Sequence, residues 1–174
     1  MRPLLRIAAG AALLALLWPE GPRYVAERRL RRATDELRNA LATSTSLEQA
    51  RPAVDRAATL ALSAFAGLPE DPRPRLLAGS ARLVAGRPLE ALDFYRDALA
   101  TGERAEIDLN AGRAHAVAGE HPEAQAALLR ALWISPALAT AIPEPLSGRL
   151  LQEVARLEAE LRAGRLAAPP PMPE

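Results

Sequence analysis

The residues best equipped for chemistry are few and gather near one turn. His115 and His121 are the chain's two histidines, with Glu120 and Glu123 beside them. Imidazole and carboxylate together can hold a divalent cation. Gly119 lies between the two rings, however, so they do not share a helix face, and the expected roles are packing for His115 and a turn for His121. Glu90 and Glu123 recur in corresponding positions, and paired carboxylates can serve as general acid and base. Each falls where a helix begins, a place where negative charge offsets the helix dipole. No nucleophile elbow, P-loop, dinucleotide fingerprint, H-E-x-x-H or calcium loop occurs. Cysteine is absent, which excludes thiol nucleophiles, disulfides, cysteine-bound metals and a lipidated N-terminal cysteine. The expectation is a protein that is not an enzyme, binds no metal and uses no cofactor.

Cations are more plentiful. Arg28, Arg29, Arg31 and Arg32 form a cluster with Glu27, Asp35 and Glu36 close by. The cluster could face anionic lipid headgroups, at about 1 kcal/mol per residue near the surface. It could equally be a solvated face neutralised by those three acids. A formal net charge of +1 and an aromatic content of 3% argue against nucleic acid as the partner. Every cationic residue is Arg, which reads as the coding bias of a high-GC bacterial genome.

The elements that would position these side chains are helices. Hydrophobic residues make up 49% of the 174 positions. Most are Ala and Leu, which favours closely packed helices over sheets. Residues 1–18 open with Arg2 and Arg6, then run uncharged from Ile7 to Trp18. This order resembles a secretory signal. No well-placed small residues follow Trp18 for cleavage, so an uncleaved anchor is expected; the alternative is a buried or interfacial helix. The order favours a periplasmic body beside a bacterial inner membrane, whereas the arginines after residue 22 pull towards the cytoplasm.

Beyond the Pro19–Pro22 break, residues 23–66 read as two helices. The first, about Arg23 to Ala42, carries Ala26, Leu30, Ala33, Leu37 and Ala40 at 4-3-4-3 spacing. The second, about Leu47 to Ala66, carries Val54, Ala57, Ala58, Ala61, Ala64 and Phe65. Asp71 and Pro72 can start the next helix. A last helix, 146–163, places Leu146, Leu150, Val154, Leu157 and Leu161 on one stripe and stops at Gly164. The tail, 164–174, is Pro-rich and expected to be disordered or polyproline-like.

Between them, residues 75–100 and 108–133 align at an offset of 33. Gly79 meets Gly112, Gly86 meets Gly119, Glu90 meets Glu123, Ala91 meets Ala124, Ala98 meets Ala131 and Leu99 meets Leu132. Such a period is the mark of stacked helical hairpins. The paired glycines allow close approach and a tight turn. With Tyr95, the run Glu90, Ala91, Tyr95, Ala98, Leu99 resembles the tetratricopeptide repeat; the second copy has Leu128 at the aromatic position. The likeness covers 72–138. Both copies lack the family's tyrosine in the first helix, where Arg82 and His115 stand. Stepping back 34 from Ala91, Tyr95, Ala98 and Leu99 gives Ala57, Ala61, Ala64 and Phe65, a degenerate preceding repeat.

The resemblance implies an all-α helical-hairpin array with an N-terminal anchor and a C-terminal capping helix. It further implies a concave groove lined by first helices, here Arg73, Leu76, Ser80, Leu83 and Val84, then Glu106, Leu109, Arg113, Ala116 and Val117. The alternative is that some of these pack against capping helices. The Lys/Asn set by which some family members clamp a terminal carboxylate is missing. The expected function is a membrane-anchored adaptor that binds a protein or peptide in the groove. The rival is an accessory subunit of a cell-envelope complex, with its contacts on the anchor and the first soluble helix.

Overall fold

The 4-3-4-3 stripe builds one long helix, α1 (Glu20–Thr43), and its buried residues are the five the spacing predicts: Ala26, Leu30, Ala33, Leu37 and Ala40. The computed structural model describes residues 20–170, and every regular element among them is helical. The expected anchor, residues 1–18, lies outside the described residues. None of the described helices is long and apolar enough to cross a membrane. Helix α1 starts earlier than Arg23, at Glu20, because a proline such as Pro22 is tolerated in a first turn, where its missing N–H would have no helical partner.

Helix α2 (Leu47–Phe65) is capped by Ser46, whose Oγ accepts from the Gln49 amide at 3.3 Å. It buries Ala50, Val54, Ala57, Ala58, Ala61 and Ala64. Phe65 stays half-buried, with the Arg75 guanidinium 3.9 Å above its ring. At the start of α3 (Arg73–Val84) Pro72 takes the cap position, one residue later than expected for Asp71, and Asp71 Oδ1 accepts from the Arg73 amide at 2.9 Å. Helices α4 (Pro88–Leu99), α5 (Ala105–Ala118) and α6 (His121–Ile134) follow, then a 3-10 turn (Pro136–Ala141) and α7 (Leu146–Arg162).

Each helix packs on the next in sequence, and the 3-10 turn and α7 cover α6. Helix α1 also touches α3, and α3 touches α5, so α1, α3 and α5 form an inner layer. No pair among α2, α4 and α6 packs comparably. The two expected glycine contacts both form. A Cβ on Gly79 would stand 2.5 Å from the Tyr95 ring, and one on Gly112 would stand 2.7 Å from Leu128. Small residues complete the contacts: Ala78, Ala81, Ala91, Ala98, Ala114, Ala124, Ala127 and Ala131 are all buried. Gly86 and Gly119 make the interhelical turns at φ +74° and +83°, a region other residues enter at a cost.

The C-terminal cap is narrower than its stripe suggested. Leu150 and Val154 are buried, but Leu161 is exposed. Gly164 ends the helix at φ +69°. The tail carries no helix or strand on its way to Pro170. Its carbonyl accepts from Arg130 Nη1 at 2.9 Å, tying the segment back to α6. Residues 171–174 lie outside the described residues.

Candidate functional site

The inner layer leaves a depression of about 390 Å³ where α1, α3 and α5 converge. Helix α1 contributes Glu27, Leu30, Arg31 and Thr34; α3 contributes Arg73, Leu76, Leu77 and Ser80; α5 contributes Asn110. Three of the expected groove residues, Arg73, Leu76 and Ser80, therefore meet here. An aliphatic floor is rimmed by hydroxyl, amide and charged groups.

Arg73 is occupied. Its Nη2 lies 2.5 Å from both Glu27 Oε1 and Asp71 Oδ2. Burial alone would raise the Asp71 carboxyl, but the Arg73 hydrogen bonds and charge outweigh it and hold the group below its ordinary value. Two acids thus balance one guanidinium, so Arg73 offers a ligand little free charge. Arg31 is exposed on the same rim and has no carboxylate within ion-pair distance among the described residues. Beneath the floor, Tyr95 crosses Gly79 with its ring 1% exposed, and burial pushes its phenol up to about 12, with Ser80 beside it opposing the shift.

The other expected groove residues separate. Leu83 packs into the α4–α5 core and Val84 into the α1–α2 core. Leu109 is 5% exposed and belongs to the C-terminal core with Leu128 and Leu150, because the 3-10 turn and α7 close over that end of α5. Arg113 is exposed but engaged. Its Nη1 donates to Asn110 Oδ1 at 3.2 Å and its Nη2 to the Ala141 carbonyl at 2.8 Å, fastening α5 to the 3-10 turn. Glu106, Ala116 and Val117 lie exposed on α5 outside the depression.

The histidines are not brought together. His121 opens α6 in solvent, whereas His115 Nδ1 contacts Glu120 Oε2 at 2.7 Å across the Gly119 turn. Among the described residues no group of three or more His, Asp or Glu is placed to hold a metal ion. Glu90 reaches Arg82 at 3.4 Å and Arg87 at 3.6 Å, while Glu123 stands in the first turn of α6.

Of the arginine cluster, Arg29 turns aside and donates to the Ser63 carbonyl at 3.1 Å. Arg28, Arg31 and Arg32 remain exposed.

Sequence reasoning missed two sets of residues. One is the α1 wall of the depression, Glu27, Leu30, Arg31 and Thr34. Its signal was available: if α2 is the second helix of a degenerate repeat, α1 is the first and must line the groove. The other is a polar cluster around Asp108, which is 1% exposed with both carboxylate oxygens lacking a hydrogen-bond partner. Burial, with the nearby Glu103 adding and Arg130 opposing, pushes its pKa up to about 7. Arg130 grips Glu103 with two bonds, Nε to Oε1 at 2.5 Å and Nη2 to Oε2 at 2.7 Å. The Arg130 bond and its charge hold Glu103 below its ordinary value against burial. A lone carboxylate on the helix face shared by Ala105, Leu109 and Gly112 was the visible sign.

No protein-family model, curated protein or solved structure matches this chain.

Proposed function

We propose that this chain is a membrane-anchored, tetratricopeptide-like adaptor that holds a peptide or partner helix in the groove between α1, α3 and α5. The observation that carries the reading is the depression itself, built from the first helices of three successive hairpins. The repeated Gly79–Tyr95 and Gly112–Leu128 contacts support the repeat reading. An aliphatic floor with a polar rim suits a helix or strand that buries a few side chains and is oriented by hydrogen bonds. In this reading residues 1–18 hold the protein in a bacterial inner membrane, with the body on the periplasmic side. The protein performs no catalysis of its own.

The groove reading is tested by filling the depression. Ser80→Arg combined with Thr34→Arg places two long side chains where the ligand would lie, at half-buried positions. The full chain, extracted from its native membranes in mild detergent, loses a stoichiometric companion when the groove is blocked, at unchanged melting temperature. Retention of the companion by the folded variant refutes the groove. Arg113→Glu is a poor probe, since it also unfastens the 3-10 turn.

A second reading, an accessory subunit that contacts a membrane partner through α1, is favoured by Tyr24 and Val25, which are 65% and 45% exposed at the start of that helix. Leu30 and Leu37 are core residues, so polar substitutions there unfold the protein and discriminate nothing. Tyr24→Ser with Val25→Ser separates the readings: an accessory subunit loses its companion, an adaptor keeps it.

A further inference from the structure

The arginine cluster on α1 admits two readings in sequence, and the ion pairs made by the neighbouring acids favour one of them. Glu27 and Asp35 border the same hollow as Arg28, Arg31 and Arg32, and neutralisation by direct pairing requires these acids, with Glu36, to reach the cluster. All three are engaged elsewhere: Glu27 with Arg73 at 2.5 Å, Asp35 with Arg38 at 3.3 Å and Glu36 with Arg56 at 3.2 Å. Arg28, Arg31 and Arg32 have no carboxylate within ion-pair distance among the described residues. They are separated by three and one positions, so they share a side of α1 with Tyr24 and Asp35. That side is opposite the buried stripe of Ala26, Leu30, Ala33, Leu37 and Ala40. The Arg28 guanidinium stands 6.0 Å from the Tyr24 ring centroid.

We infer that the α1 face bearing Arg28, Arg31 and Arg32, with Tyr24 at its N-terminal end, docks on the anionic headgroups of a lipid bilayer. Three features select lipid over other polyanions. The face begins six residues after the uncharged run Ile7–Trp18, so a chain inserted there delivers α1 to the headgroup layer. Tyr24, Arg28 and Arg32 lie on the side away from the packed body, and Arg31 stands at the edge this side shares with the depression, so α1 can lie along a flat surface. Exposed Tyr24 and Val25 add the amphipathic side chains that settle at a membrane interface, whereas base stacking would need more aromatic surface than one tyrosine. Guanidinium groups suit phosphate because their donors form a planar fork.

The inference rests on the proposed anchor only for the delivery of α1, and the two can fail separately. The full chain is titrated with neutral phosphatidylcholine vesicles and with vesicles containing about one third phosphatidylglycerol, at low and high salt. Tighter binding to the anionic vesicles, lost at high salt, is expected. The chain with Arg28→Gln, Arg31→Gln and Arg32→Gln is expected to lose that preference by roughly 100-fold, from about 1 kcal/mol per arginine. Arg96→Gln with Arg162→Gln, two exposed arginines on α4 and α7, keeps it. Circular dichroism melts show that each variant is folded.

Equal binding of wild type and triple variant to anionic vesicles overturns the docking face. Binding to both vesicle types without anionic preference does the same and leaves the anchor standing. Binding to anionic vesicles alone removes the anchor and keeps the face. Retention on an oligonucleotide column, with no preference for anionic vesicles, assigns the face to another polyanion and overturns the lipid inference.

Discussion

The two repeat copies share a frame and differ in what each encloses. In both, a glycine on the first helix receives a large side chain from the second, Tyr95 over Gly79 and Leu128 over Gly112. At the offset of 33, Arg75 corresponds to Asp108. Arg75 spreads over the Phe65 ring, whereas Asp108 is buried near the charges of Glu103 and Arg130, the latter also bonded to the Pro170 carbonyl. Ser80 lines the open depression, whereas its counterpart Arg113 is bound to the 3-10 turn. The first copy thus keeps an accessible inner face, and the second spends that face on closing the end of the array. Repeat position decides which helices touch, and the neighbouring element decides what each outward side chain can do.

This contrast can be broken at its largest contact. Tyr95 is among the largest fully buried side chains, and Tyr95→Ala is expected to cost about 3–5 kcal/mol, read from denaturant unfolding. Leu128→Ala is expected to cost less, because the lost volume is smaller. A larger loss at Leu128 would move the main packing burden to the second copy.

The glycines sharpen the comparison. Gly79→Ala forces a rigid ring to move, and a net loss of about 2 kcal/mol is expected after the gain in helix propensity. Gly112→Ala meets Leu128 and, at 3.1 Å, the Ala124 carbonyl. A leucine can change rotamer, so a loss nearer 1 kcal/mol is expected there. Equal or reversed losses in thermal or chemical unfolding would contradict the ring as the stiffer partner.

The smallest effect concerns pH. Asp108 has its folded pKa raised from 3.8 to about 7. The folded state therefore holds this proton more tightly than the unfolded chain does. The associated stability is fully present below about pH 4 and is lost as pH rises through 7. Glu103 has the opposite sign, since its lowered pKa withdraws stability only as pH falls below its ordinary 4.5. Asp108→Asn is expected to flatten the decline between pH 4 and 7. It should exceed wild type by about 1 kcal/mol near pH 8, within the cost of an uncompensated buried polar group. An unchanged slope in the variant would place the titration elsewhere.

The helical frame was legible because Ala and Gly spacing records which backbones approach closely. The α1 stripe and both glycine contacts follow from it residue by residue. The groove was legible only in part. Leu76 and Ser80 line the depression with α1, but Leu109 and Arg113 are claimed by the turn and α7, whose docking leaves no period in the sequence. The ion pairs were illegible for a related reason. Arg73 meets Glu27 from 46 positions away, and no local pattern separates that partner from the nearer Arg31. Helix periodicity fixes a side chain's direction, while its partner depends on tertiary neighbours.

A partner held in the proposed groove would shield the inner face of α1 and α3. Hydrogen exchange of the full chain, alone and with the companion that copurifies from native membranes, tests it most directly. Added protection is expected in α1 and α3 around Arg31, Leu76 and Ser80, with α4 and α6 unchanged. Protection confined to the outer helices α2, α4 and α6 would contradict it.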